Sequence, residues 1–346
     1  MSAGSSSIVR TLRLAEGGVR LALALATGGG FPFSATFILT HRCNFQCAYC
    51  NIPAAAAAEM TTAQFCGALD QLRAAGLVRA SFSGGEALLR RDAPEILAHA
   101  RSLGLMTSLN TNAWMTGRHL DVLEKCLDLL VISLDGPEPV HDLLRRRAGS
   151  YARVVGVLRA ARERGLATAT ITVLTPDNLG VIDEVLALAR ELGFYAYFQP
   201  AYEDCFDHAA GVDPGLGARV FGDIAGRLAR ARAAGEPVGA SPGYLERLAN
   251  GPAFGDCGRC SAGRFWGTVL PDGRVIPCHL QARDGDHRFL NGLEVGFAAA
   301  FRGLRRPMTG PGCAISPYQE TDLIFALDRR AIAAALRRLL GARTLM

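Results

Sequence analysis

Three cysteines, Cys43, Cys47 and Cys50, fall within eight residues in the stretch HRCNFQCAYC. Thiolates are soft ligands, and three of them on one loop let the backbone wrap an iron-sulfur cluster. A cluster that only carries electrons is normally closed by four cysteines, whereas three leave one iron open to chelate a small molecule. Zinc is the alternative, with His41 as a fourth ligand, although the spacing matches no common zinc pattern. A second group, Cys257, Cys260, Cys278 and Cys313, sets a CxxC knuckle against a hairpin cysteine, which is again a metal signal and one that zinc ribbons share.

Other residues able to bind or move charge recur after apolar β-rich runs. Six such runs, at 34–40, 78–83, 105–110, 129–134, 167–174 and 194–199, alternate with helical patterns as far as about residue 233, which predicts repeated βα units on a parallel sheet. The helix after the first run should be N-capped by Thr61 and closed at Gly76. Six units are too few for a closed eight-stranded barrel, leaving an open partial barrel or a doubly wound sheet. Active sites gather at the C-terminal ends of such strands, and each polar cluster falls there. The first cysteine motif follows run one. Ser83-Gly84-Gly85-Glu86 follows run two, its small residues suited to close backbone approach and its carboxylate to an ammonium group. Asn110 and Asn112 follow run three, Ser133 and Asp135 run four, and Gln199 ends run six, either lining a pocket or satisfying backbone groups. From about residue 240 a Gly/Pro-rich segment and a hairpin turned at Asp272-Gly273 predict a second, smaller domain, and a basic-faced helix is expected at 321–346.

The 346 residues are 49% hydrophobic and 20% charged, the composition of a folded globular chain. The net charge of +5 is almost all arginine interspersed with acids, which excludes a nucleic-acid stripe. Lys125 is the only lysine and lies in a helical pattern, a poor anchor for pyridoxal phosphate. Ten cysteines at metal-like spacings argue for a reducing, cytoplasmic setting rather than disulfides. No apolar run reaches a membrane span. LALALA (21–26) is read as part of an N-terminal helix (1–33) packed on the next domain, with membrane-surface contact less favoured.

Read together, CNFQCAYC after the first strand, SGGE after the second and the βα series resemble the radical S-adenosylmethionine (radical SAM) family over about residues 34–320. The resemblance implies an open (βα)6 partial barrel core at 34–235 with a small C-terminal cysteine-rich domain. It implies a 4Fe-4S cluster on Cys43, Cys47 and Cys50 whose open iron takes the amino and carboxylate groups of S-adenosylmethionine. By the same resemblance Tyr49 lies near the adenine and Gly84-Gly85-Glu86 binds the methionine amino group, with Ala87 where the family usually has proline. Ser133 and Arg145, twelve residues apart, match a serine and arginine that contact the cosubstrate; Arg146 and Arg147 are alternatives for the arginine.

The spacing C-x12-G-x4-C from Cys260 to Cys278 resembles the SPASM extension or its shortened relative, twitch, at 240–320, and implies one auxiliary 4Fe-4S cluster. Cys313 either closes that cluster or leaves an open iron. Cys205, in AYEDCFD, is a candidate hydrogen-atom donor or a packing residue, while Cys66 and Cys126 read as core. The expected activity is reductive cleavage of S-adenosylmethionine and hydrogen abstraction by a 5'-deoxyadenosyl radical, of oxidoreductase or epimerase type, fed by a flavodoxin- or ferredoxin-type donor. Because only about 33 residues precede the first strand, a small-molecule, lipid or cofactor-precursor substrate is expected ahead of a ribosomal peptide. A non-catalytic iron-sulfur or zinc protein explains the second domain but not the glycine-rich loop or the serine-arginine pair.

Overall fold

The computed structural model describes residues 3–50, 52–54, 58–201, 216, 218–250, 260–278, 289–304 and 313–341. Eight strands form one open sheet: β1 (Ser34–Ile38), β2 (Arg79–Ser83), β3 (Met106–Thr111), β4 (Leu129–Ser133), β5 (Thr168–Leu174), β6 (Tyr195–Pro200), β7 (Trp266–Val269) and β8 (Val275–Ile276). Their order is β6-β5-β4-β3-β2-β1-β7-β8, and every pair is parallel except β7 with β8. Helical crossovers join β1 through β6, the arrangement of an open partial βα barrel.

Alternation along the strands sorts the residues between two faces. Ala35 and Phe37 on β1, Ala80 and Phe82 on β2 and Leu109 on β3 are buried in a core shared with Phe65, Leu69, Leu72 and Ile96 of the crossover helices. The intervening positions are small and polar: Thr36 pairs with Ser81 and Thr268, and Ser81 with Ser108. The helix Thr62–Ala74 starts on the expected cap, with the Thr61 hydroxyl accepting from Gln64 N and the Gln64 side chain accepting from Thr61 N. Gly76, just beyond its end, has φ +116°, a conformation that favours glycine. Cys126 is buried, as expected, whereas Cys66 is only half-buried.

Two boundaries differ from those the sequence suggests. The hairpin assigned to a second domain extends the core sheet, because β7 runs parallel to β1 with Thr36 opposite Thr268. The single C-terminal helix is two, Ser316–Phe325 and Arg329–Gly341. The chain breaks at Leu327, φ +59°, and the Asp328 carboxylate accepts from the backbone of Arg330 and Ala331 to start the second helix. At the other end, Leu21, Ala24 and Leu25 of the helix Ala3–Thr27 pack against Phe265, Trp266 and Phe325, as read for LALALA. Among the described residues no helix is long and apolar enough to cross a membrane.

Candidate active site

The loop that carries the first three cysteines leaves β1 and is sewn to the end of β2. Leu39 N donates to Ser83 O, Gly85 N to Thr40 O and Glu86 N to Arg42 O, at 2.8–2.9 Å. A Cβ on Gly84 (φ +153°) would lie 2.3 Å from Thr40 O, and one on Gly85 2.4 Å from Arg42 O and 2.5 Å from His41 O. The close approach these glycines permit is therefore to the root of the cysteine loop. Farther along, Ala48 N donates to Leu144 O (2.8 Å) and Cys50 N to Cys47 O (3.2 Å), which folds the motif back on itself.

Glu86 is fully buried, and its carboxylate is spent within the fold. It accepts from Leu88 N (3.1 Å), the Thr111 hydroxyl (3.0 Å to each oxygen) and Asn112 N (2.8 Å). Burial pushes its carboxyl above the usual carboxylate range, against the pull of those donors. The consequence lies at the end of β3. Asn112 is turned so that its amide donates to Asn44 Oδ1 (2.8 Å) and reaches Cys43 Sγ (3.8 Å), while Asn112 Oδ1 accepts from Trp114 N (3.0 Å). Asn110 stands two residues back on β3, half-buried and paired with Val131.

On the other side of the cysteine loop, Asp135 has no exposed surface and gathers three donors: the Tyr49 hydroxyl (2.7 Å), Arg145 Nε (2.7 Å) and Val173 N (3.1 Å). Arg145 Nη1 continues to Cys47 Sγ (3.8 Å), and its guanidinium lies 5.5 Å from the Tyr49 ring centre. Burial works against the Arg145 charge, but Asp135, Tyr49 and Cys47 outweigh it and raise its pKa. Burial likewise holds the Tyr49 hydroxyl protonated. Of the three consecutive arginines, Arg145 alone is buried; the helix Glu138–Arg145 ends there, and Arg146 (φ +49°) and Arg147 face outward. Ser133 is half-buried at the end of β4, and Gln199 is 6% exposed with its Oε1 unpartnered.

The sequence reading missed His141. Its Nδ1 accepts from Asp135 N (3.0 Å), and with Leu144 and Arg145 it makes an i, i+3, i+4 inner face that marks it as buried. It also missed Asn178, whose amide donates to the carbonyls of Asp135 (2.9 Å) and Val173 (3.0 Å).

These surroundings fit an iron-sulfur cluster. Three soft sulfurs share one loop, and two of them already face side-chain N–H donors, Asn112 at Cys43 and Arg145 at Cys47, the contacts that tune cluster potential. Burial pushes all three thiols up, Cys50 to about 11, so ligation is what would hold them as thiolates near neutral pH. Among the described residues no three Cys, His, Asp or Glu side chains close on a single-ion site, which is the geometry that zinc with His41 would need.

In the second group, Cys257 lies outside the described residues, as does Cys205. Cys260 and buried Cys278 share an apolar cluster with Phe265, Trp266 and Tyr318. The helix Ser316–Phe325 ties Cys313 to this cluster: Gln319 Nε2 donates to Cys313 Sγ (3.4 Å), and three residues on Asp322 Oδ1 accepts from Ser261 N (2.7 Å).

Comparison with known proteins agrees with this geometry. Residues 37–189 match the Radical SAM superfamily, which makes that stretch a radical SAM domain. The chain is 37% identical over 168 residues to PqqA peptide cyclase of Xanthomonas campestris pv. campestris, covering 47% of this chain and 45% of that one. It is 38% identical over 166 residues to PqqA peptide cyclase of Xanthomonas axonopodis pv. citri, covering 46% and 45%. These matches thus span about half the length of the curated relatives. The fold is also that of Streptococcus suis SuiB bound to the precursor peptide SuiA (TM-score 0.63, 15% identity, 80% of this chain and 67% of that one). It is shared too by anSMEcpe with bound AdoMet (TM-score 0.60, 16% identity, 88% and 99%).

Proposed function

From a radical SAM domain over residues 37–189, we propose that this protein is a radical SAM enzyme that modifies a peptide. A 4Fe-4S cluster with S-adenosylmethionine on its open iron supplies reductive cleavage of a sulfur-carbon bond, and with it a 5'-deoxyadenosyl radical able to take a hydrogen atom from a substrate. The chain's own residues hold and orient. Cys43, Cys47 and Cys50 ligate. Asp135 fixes Tyr49 and Arg145 against Cys47, and Glu86 fixes Asn112 against Cys43. Gly84 and Gly85 let the loops close, while Ser133, Asn110 and the unpartnered Gln199 Oε1 are offered to the cosubstrate.

The expectation of a small-molecule, lipid or cofactor-precursor substrate gives way here. It rested on the short stretch before β1, whereas the sequence relatives are named for a peptide substrate, and that similarity is the observation that carries the peptide reading. Peptide cyclisation is the favoured reaction, in place of a general oxidoreductase or epimerase assignment. Cys257, Cys260, Cys278 and Cys313 would hold one auxiliary 4Fe-4S cluster in a domain at about 240–320; in support, Cys260 and Cys278 share an apolar cluster with Tyr318 and Phe325, and Cys313 accepts from Gln319 of the same helix.

The test is anaerobic reconstitution with iron and sulfide, an iron count, and mass spectrometry for 5'-deoxyadenosine after addition of dithionite and S-adenosylmethionine. Candidate precursor peptides are then assayed for loss of hydrogen. Cys43→Ala should abolish 5'-deoxyadenosine, and Cys278→Ala should remove about four irons while sparing the first cluster. Iron-loaded protein that makes no 5'-deoxyadenosine would sink the reading; turnover of a small molecule and no peptide would sink its substrate half.

A further inference from the structure

A cluster that must be reduced needs a place where its reductant can sit, and one exposed surface of this fold touches the cysteine loop directly. It is built around Trp114, half-buried just past the end of β3. The Arg147 guanidinium stacks 4.2 Å from the Trp114 ring centre, and that of Arg153 lies 5.4 Å from it. Arg147 also lies 6.0 Å from the ring of Phe45, a buried residue of the cysteine loop whose ring meets Trp114 edge-on at 5.7 Å. Arg146, Arg147 and Arg153 are all exposed, and none pairs with a carboxylate among the described residues. The nearby Asp142 is spent on the backbone nitrogens of Gly149 and Tyr151 and the Ser150 hydroxyl.

The patch is wired inward. Trp114 N donates to Asn112 Oδ1, and the Asn112 amide reaches Cys43 Sγ; Phe45 N independently donates to Cys43 Sγ at 3.4 Å. We propose that Trp114, Arg147 and Arg153, with Arg146 at the edge, form the docking surface for a small acidic one-electron donor protein carrying a flavin or an iron-sulfur centre. The donor loses one electron and the cluster on Cys43, Cys47 and Cys50 gains it; no bond is made or broken in this step. Unpaired guanidinium groups steer an acidic partner by long-range attraction that salt screens, as suits a transient contact. An acidic peptide substrate is the rival occupant. The route to Cys43 through Asn112 and Phe45 favours the electron donor, since a substrate must meet the cosubstrate rather than the outer side of its ligand loop.

The inference rests on the radical SAM reading, and its test separates the two. The affinity of reconstituted holoenzyme for a purified acidic flavodoxin is measured at low and high salt. Three proteins are compared: wild type, the double variant Arg147→Glu/Arg153→Glu, and the control Arg159→Glu, an exposed arginine farther along the same helix as Arg153. The double variant should bind about tenfold more weakly at low salt, the gap closing as salt rises, with the control near wild type. Flavodoxin-driven cleavage of S-adenosylmethionine should fall in step, whereas cleavage driven by dithionite, a small reductant, should match wild type. Unchanged flavodoxin affinity in the double variant overturns the proposal, and so does loss of precursor-peptide affinity in its place. A wild type inert even with dithionite overturns the functional reading instead, and the affinities still decide the surface.

Discussion

Asn112 N lies 2.8 Å from a carboxylate oxygen of Glu86, a residue 26 positions earlier with no exposed surface. Through this bond the glycine-rich loop after β2 sets the angle at which the Asn112 amide meets Cys43. Both carboxylate oxygens are needed, one by Leu88 N and the other by Asn112 N. Glu86→Gln presents an amide NH2 to one of those N–H groups, which should cost about 2 kcal/mol. Chemical denaturation of the variant checks this, and a stability within error of wild type would refute it.

Arg145 and Asp135 form a buried ion pair at 2.7 Å. Arg145→Met strands a carboxylate that has no access to water and should cost about 3–5 kcal/mol. Adding Asp135→Asn to it should recover part of that loss, because the stranded charge is gone. A double-mutant cycle in urea measures the coupling, and additive losses would mean that the pair does not act as a unit.

Gly85 and Gly67 make a matched contrast. A Cβ at Gly85 would strike the carbonyl oxygens of His41 and Arg42, which are backbone atoms that cannot swing aside. Gly85→Ala should therefore displace the cysteine loop and lower iron retention with all ten cysteines still present. Gly67, in the helix Thr62–Ala74, has nothing within 4 Å of that position, so Gly67→Ala should keep its iron and gain about 0.5–1 kcal/mol. Iron counts and thermal melts on the two variants give the answer.

His141 supplies a pH dependence. Burial, then the Arg145 charge, lowers its pKa from 6.5 to about 4, while Asp135 and Asp142 oppose the shift. The unfolded chain takes up the proton first, so stability is full above pH 6.5 and declines as pH falls toward 4. At about 1.4 kcal/mol per unit the loss approaches roughly 3 kcal/mol. His141→Asn keeps an acceptor for Asp135 N without a titrating ring, so its stability should fall less steeply over this range. Parallel curves for the two proteins would rule His141 out as the source.

Much of this protein is determined locally and can be read from the chain. The three thiols lie within eight residues, so that they share one loop is legible from the chain, and the six βα units announce themselves through alternation, caps and turn residues. The inward turn of Arg145 was within reach too, since His141, Leu144 and Arg145 share one helix face; the ladder RRR simply offers three arginines until that face is traced.

What the tertiary structure decided depends on groups far apart in sequence. No local signal says that β7 should lie beside β1, some 230 residues away, and join the hairpin to the core sheet. The carboxylate of Glu86 looks available to a ligand until the end of β3 folds over it and takes up its oxygens. Trp114 is an unremarked aromatic until two arginines from beyond β4 close on it beside the cysteine loop. The physical reason is the same in each case. Residue type fixes what a group can bond to, but a buried polar group takes whichever partner the fold brings within reach, and parallel pairing chooses that partner across long stretches of chain.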